Sequence, residues 1–201
     1  MYESSKSVFH KLQDSRYATR YLVGNGIDIG AGGDPLVQYG ELFPLMASCR
    51  SWDLPDGDAE LMEGIADNSF DFVHSSHCLE HMRNVSNALE NWLRILKPNG
   101  HLICLVPDED LYEQGVFPST FNADHKHTFT IFKKTSWSNH SINVLALLSN
   151  LRQPIEIKKI ELLDATYRYG LNTMYGKKRI DQTCTPIGEC AIEIIIRKKM
   201  Q

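Results

Sequence analysis

With 201 residues and an ordinary apolar share, the chain is sized for a single domain over residues 1–201, whose core can bury roughly 70% of the unfolded surface without staples. No apolar run approaches a membrane span, and Met1-Tyr2-Glu3-Ser4-Ser5-Lys6 lacks the basic-then-apolar order of a secretory signal, so a soluble, cytoplasmic protein without membrane insertion is expected. The formal net charge of −4 divides into −8 for residues 1–150 and +4 for residues 151–201, where ten Lys/Arg face six Asp/Glu; with no basic face over the whole domain, nucleic-acid binding is not expected.

Apolar and aromatic residues recur at near-helical spacing from Ser5 to Leu22, with Val8, Leu12 and Tyr17 as landmarks, predicting a leading helix over 5–22. A strand over Gly26 to Ile29 follows, then a helix or irregular turn from Leu36 to Met46, and a second strand over Ser48 to Leu54. Phe70 to Ser75 reads as a buried strand, Val85 to Leu96 as an amphipathic helix, and His101 to Val106 as another strand, closed by Pro107. Residues 107–130 are polar and aromatic without a period, the mark of a functional loop, here assigned to the acceptor side. Trp137, Ile142, Leu145 and Leu148 fall on a helical stripe within Thr135 to Leu151. Ile155 to Leu163 and Cys190 to Ile196 read as the last two strands. Alternating strands and helices imply an α/β fold with a largely parallel sheet and right-handed crossovers.

The first strand breaks into Gly30-Ala31-Gly32-Gly33, a turn in which a ligand can reach backbone N–H groups because no side chains intervene. A second block, Asp67-Asn68-Ser69-Phe70-Asp71-Phe72-Val73-His74-Ser75-Ser76-His77-Cys78-Leu79-Glu80-His81, precedes Leu96-Lys97-Pro98-Asn99-Gly100-His101-Leu102. Together these stretches resemble class I S-adenosylmethionine (SAM) dependent methyltransferases, closest to the subgroup that includes quinone-biosynthesis and small-molecule enzymes. The resemblance covers about Gly24 to Val106 and implies a Rossmann-like sheet whose last strand is antiparallel. A G-x-G-G turn in place of G-x-G-x-x-G argues against a nicotinamide dehydrogenase.

The resemblance also implies roles. Gly30 and Gly32 would approach the methionyl part of SAM, with Asp28 attracting its ammonium. Asp53, ending strand two, would hold the ribose hydroxyls, for the bidentate reason that dinucleotide folds place an acid there. Asp58 and Ala59 would contact adenine, and Ser76 and His77 would line the cofactor. The chain departs from the family between Asp53 and Asp58, where only four residues stand in place of a helix and a strand. Either strand two ends elsewhere, or the sheet is shortened between strands two and four. Asp34 also stands where many members carry a third glycine.

A hydroxyl acceptor requires a general base, and Asn122-Ala123-Asp124-His125-Lys126-His127-Thr128 holds the densest set of suitable groups. His125 is the favoured base, His127 the second, Asp124 an orienter of the neighbouring histidine, and His81 a further candidate. The loop from Val106-Pro107-Asp108 into Asp124-His125-Lys126 is similar to those of bacterial methyltransferases of surface-polysaccharide sugars, so the expected acceptor is a sugar or nucleotide-linked sugar hydroxyl. Lys177, Lys178 and Arg179 with Arg168 leave room for a phosphorylated acceptor, or form a solvated loop. N- or C-methylation of another metabolite, and a SAM-binding module without catalysis, stay open. No metal is expected, because His74, His77 and His81 match no ligand spacing, and five cysteines without a C-x-x-C pair fit reduced, buried thiols. Oligomeric state is not legible.

Overall fold

The computed structural model describes residues 3–171 and 179–200. In chain order the elements are α1 (Glu3–Gln13), β1 (Gly24–Ile29), β2 (Met46–Trp52), β3 (Phe70–Ser76), α2 (Val85–Ile95), β4 (Leu96–Pro107), β5 (Thr128–Thr130), β6 (Ser141–Asn143), α3 (Val144–Ser149), β7 (Ile155–Leu163) and β8 (Ala191–Lys198). Six strands form one sheet in the order β2-β1-β3-β4-β8-β7. The pairs β1–β2, β1–β3 and β3–β4 are parallel, whereas β8 runs antiparallel to both β4 and β7. This is the Rossmann-like sheet with an antiparallel last strand.

Strand pleating sends alternate residues to opposite faces, and both faces are apolar. Ile27, Ile29, Val73, Leu102 and Cys104 pack beneath α2, whose Leu89, Trp92 and Leu93 are buried. Phe72, Ile103, Leu105 and Ile195 meet Tyr17, Tyr21, Leu22, Leu36 and Phe43 on the other face. Asn84 caps α2 by accepting from Asn87 N at 3.0 Å, which fixes where the helix starts after the β3 loop.

The sheet is shortened. Strand β2 ends at Trp52, close to where its apolar pattern stops, and residues 53–69 contain only a 3-10 turn at Leu54–Asp56 and irregular turns. Among the described residues β2 is therefore an edge strand.

Two helices differ from expectation. The leading helix stops at Gln13; Asp14 accepts from Arg16 N at 3.0 Å and starts a separate π-helical turn at Tyr17–Tyr21, leaving Leu12 exposed. The helix expected over Thr135 to Leu151 shrinks to Val144–Ser149. Serine side chains capture backbone donors ahead of it, Ser138 N donating to Ser136 Oγ and His140 N to Ser138 Oγ, and the helix starts only at its Asn143 cap, which accepts from Ala146 N. Such local bonds compete with helix formation. Trp137 is 40% exposed, off any core stripe, and Ser141–Asn143 pairs instead with Thr128–Thr130.

Candidate active site

Strands β1, β2, β3 and β4 all end at one edge of the sheet, where open α/β folds receive ligands. Gly30 has φ +77° and a Cβ there would stand 2.5 Å from that of Cys78; Gly32 has φ +54°. Only glycine accepts both demands at position 30. Gly30 N and Ala31 N donate to the Trp52 carbonyl at 2.9 and 3.2 Å, and Gly32 N donates to Asp53 Oδ2 at 2.8 Å. Asp53 also accepts from Leu54 N at 2.7 Å, so one carboxylate at the end of β2 fastens the glycine turn.

Asp28 is buried and already engaged. Its Oδ1 lies 2.7 Å from His74 Nδ1 on the neighbouring strand, and Oδ2 accepts from Leu36 N at 2.8 Å. Asp34, in place of a glycine, accepts from Ser5 N at 2.8 Å and from the Tyr39 hydroxyl at 2.5 Å, which ties the start of α1 to the turn.

Two cavities open at this edge and share Gly30, His77 and His81. The larger, about 640 Å³, is lined by Asp53, Leu54, Asp58 and Ala59. Asp58 accepts from Arg83 Nη2 at 2.8 Å and from Glu60 N at 2.8 Å, and the Ala59 carbonyl accepts from Trp92 Nε1 at 2.8 Å. The smaller, about 200 Å³, is lined by Asp28, Gly32, Ser76, Glu80 and His125 among others, with Glu3 and Ser4 of α1 at its rim. Ser76 Oγ is buried there without a hydrogen-bond partner.

Past β3 the chain passes through His77 in the left-handed region, φ +53°, and makes one turn at Leu79–His81. That turn carries Glu80, whose side chain is 0% exposed. Its carbonyl accepts from Lys126 N and His127 N at 3.0 and 3.2 Å, pinning the 122–128 loop against it. His125 Nε2 consequently lies 3.7 Å from Glu80 Oε1, His81 Nε2 3.9 Å and His77 Nδ1 3.4 Å. Burial pushes the Glu80 carboxyl up, but the three histidines, His77 foremost, outweigh it and hold the group below the usual carboxylate range. Burial pulls His77 down, and Glu3 and Glu80 together more than restore it.

The structure thus divides the expected site residues. Asp28, Gly30, Gly32, Ser76, His77, His81 and His125 line the smaller cavity; Asp53, Asp58, Ala59 and Asp124 line the larger. His127 lines neither; burial lowers its pKa and its Nε2 is buried unpartnered. Asp124 holds His81 (Nδ1 to Oδ2 2.9 Å) and not His125; the group on His125 Nδ1 is Glu113 Oε1 at 2.8 Å. His74 leaves the histidine set for Asp28, and His125 takes its place. The meeting of Glu80 and Glu113 with His125 was not readable, because it comes about only through tertiary folding across separate loops. The one available signal was a charged residue inside Leu79-Glu80-His81, next to an apolar side chain destined for the core.

Residues 45–104 match the family model described as a methyltransferase domain. We found no matching sequence among curated proteins. Among solved structures, a SAM dependent methyltransferase from Archaeoglobus fulgidus superposes with a TM-score of 0.57 at 14% identity, over 95% of this chain and 94% of that one. The plantazolicin methyltransferase BpumL in complex with SAH gives 0.57 at 15% identity, over 98% and 86%. An S-adenosylmethionine dependent methyltransferase from Mesorhizobium loti gives 0.53 at 14% identity, over 91% and 95%. At these identities the likeness is one of fold.

Proposed function

We propose that this chain, a class I S-adenosylmethionine-dependent methyltransferase, methylates a hydroxyl of a small polar acceptor, best fitted by a sugar or nucleotide-linked sugar. The observation that carries the reading is the side chain of His125. Its Nδ1 lies 2.8 Å from the buried Glu113 carboxylate, which fixes the ring, and its Nε2 lies beside the smaller cavity, 3.7 Å from Glu80 Oε1. A histidine so oriented can take a proton from an acceptor oxygen, a service that an alcohol needs and a neutral amine does not.

The residues present fit the cofactor. The larger cavity has the volume of a small-molecule site and an acid at the end of β2. Asp53 would hold the ribose hydroxyls, Asp58 and Ala59 the adenine end, and Gly30, Gly32 and the orphaned Ser76 hydroxyl the amino-acid end near Asp28. Bound SAM supplies an electrophilic methyl carbon on a sulfonium. The chain's part is to align an acceptor oxygen with it and to exclude water, with α1 closing the smaller cavity through Glu3 and Ser4.

Arg179 packs against the acceptor loop, its guanidinium donating to the Glu113 carbonyl at 3.1 Å and to Thr120 Oγ1 at 2.7 Å and lying over Phe121, so among the described residues it braces that loop. Lys177 and Lys178 lie outside the described residues. The test is methyl transfer from SAM to a panel of nucleotide sugars, free sugars, amines and phenols, read by mass spectrometry of the products. An O-methylated sugar is the expected product. Methylation confined to nitrogen or carbon would move the chain to that alternative, and SAM binding without turnover on any acceptor would make it a binding module. The setting, surface-polysaccharide biosynthesis in the cytoplasm, belongs to the same proposal.

A further inference from the structure

Glu80 poses a problem that the methyl-transfer site does not solve. Its side chain is 0% exposed, yet neither carboxylate oxygen has a hydrogen-bond partner. A second carboxylate, Glu113, is equally buried behind His125, with Oε2 also unpartnered. No described Lys or Arg forms an ion pair with either; the groups that face them are the imidazoles of His77, His81 and His125. Burying two such groups is costly unless a cation or donors compensate them.

The histidines around Glu80 are arranged as ligands are. One ligand atom from each of Glu80, His81 and His125 lies within 4.8 Å of the other two. The Glu80 Oε1 distances of 3.7 Å to His125 Nε2 and 3.9 Å to His81 Nε2 exceed by only a few tenths of an ångström the roughly 3.4 Å between ligands on a tetrahedral ion bonded at about 2.0–2.1 Å. In both histidines the other nitrogen faces a carboxylate: Nδ1 of His125 at 2.8 Å from Glu113, and Nδ1 of His81 at 2.9 Å from Asp124. That outer pairing fixes the ring and the tautomer and turns Nε2 inward, as in carboxylate–histidine–metal sites.

We propose that Glu80, His81 and His125 form a binding site for one divalent first-row transition ion, with Zn²⁺ as the type case. Two imidazoles and one carboxylate suit such ions in preference to Ca²⁺ or Mg²⁺, which take oxygen ligands. Three protein ligands leave a position open toward the smaller cavity. An occupied site makes His125 a ligand in place of a base, and an ion offers a bound hydroxyl the same proton loss by lowering its pKa. The site rests on ligand geometry alone, whichever acceptor is methylated.

The test is binding of the ion itself. The full chain, freed of metal by EDTA and dialysed, is titrated with Zn²⁺ by calorimetry and with Co²⁺ by visible absorption. We expect one ion per chain and a Co²⁺ spectrum of a low-coordinate nitrogen–oxygen site. Glu113→Gln is expected to weaken binding about 10- to 100-fold, and Glu80→Gln and His81→Gln to weaken it at least as much. His81 is partly exposed, so His81→Gln decides the matter alone if Glu80→Gln does not fold. Failure of the metal-free chain to take up one ion overturns the proposal, as does uptake that His81→Gln leaves unchanged.

Discussion

Asp53 illustrates how much one side chain can carry at the end of a strand. It accepts from Gly32 N and Leu54 N, so it shapes the glycine turn before any ligand arrives, and it faces the larger cavity where the ribose is proposed to lie. Asp53→Ala is expected to weaken SAM binding by about 1.5–3 kcal/mol, since a charge-assisted acceptor is lost. Calorimetry on folded protein is the check; an unchanged dissociation constant would pass the ribose role to Asp58. His125 separates the other way, because it is proposed to serve the acceptor and lies outside the larger cavity proposed for the nucleoside. His125→Ala should keep SAM affinity and lose about 10²-fold or more in turnover, the usual scale for removing a group that handles the acceptor proton. Loss of SAM affinity in step with turnover would place the 122–128 loop over the cofactor.

Between elements, the fastening of α1 to the sheet runs through a buried charge. Glu193 on β8 is 0% exposed and meets His10 Nε2 of α1 at 3.1 Å, Lys159 Nζ of β7 at 2.9 Å, and the Tyr17 hydroxyl. Burial raises its pKa, but His10, Lys11 and Lys159 outweigh that and hold it far below 4.5. A depressed carboxylate stabilises the fold fully above its unfolded pKa and loses that contribution as pH falls toward its folded one. Urea midpoints should therefore decline as pH drops below about 4.5, and Glu193→Gln should both flatten that decline and cost about 3–5 kcal/mol at pH 7 by leaving cations unpaired. A pH profile identical to that of the unaltered chain would remove Glu193 from the network.

The same scale shows what a sequence can and cannot reveal. Strands β1 to β4 and helix α2 were legible because their apolar runs are bounded by turn and capping residues such as Gly30, Asp53, Asn68, Asn84 and, after Val106, Pro107, signals local to each segment. The stripe Trp137, Ile142, Leu145, Leu148 misled because Ser136 and Ser138 withdraw the backbone ahead of Asn143, which caps the helix only there, a competition that periodicity does not weigh. The glycine turn and the acid after β2 were readable for the same local reason. The different surroundings of His125 and His127 emerge only once the Glu80 carbonyl accepts from the backbone of residues 126 and 127.

For the molecule as a whole, ligand binding and stability are linked. SAM or its demethylated product at a hundredfold excess over its dissociation constant should add about 2.7 kcal/mol, or roughly 5–10 °C in Tm for a chain of this size, while NAD leaves it unmoved. A shift with NAD and none with SAM would reverse the cofactor assignment.

The shortened sheet has a practical sequel. Where the resembled family inserts a helix and a strand, this chain has only residues 53–69, and Leu54 stands 89% exposed on the rim of the larger cavity, in which the adenine is proposed to lie. Cys78, Arg83 and Lys126 wall that cavity from elsewhere, but its 53–60 side is a single loop that leaves this side open. Synthetic donors that carry a bulky tag on the adenine amino group are therefore expected to compete with SAM almost as well as the untagged compound, measurable as near-equal inhibition constants, whereas tags on the ribose, beside Asp53, are expected to be excluded. Such selectivity would let this protein be addressed chemically among other enzymes that draw on the same donor.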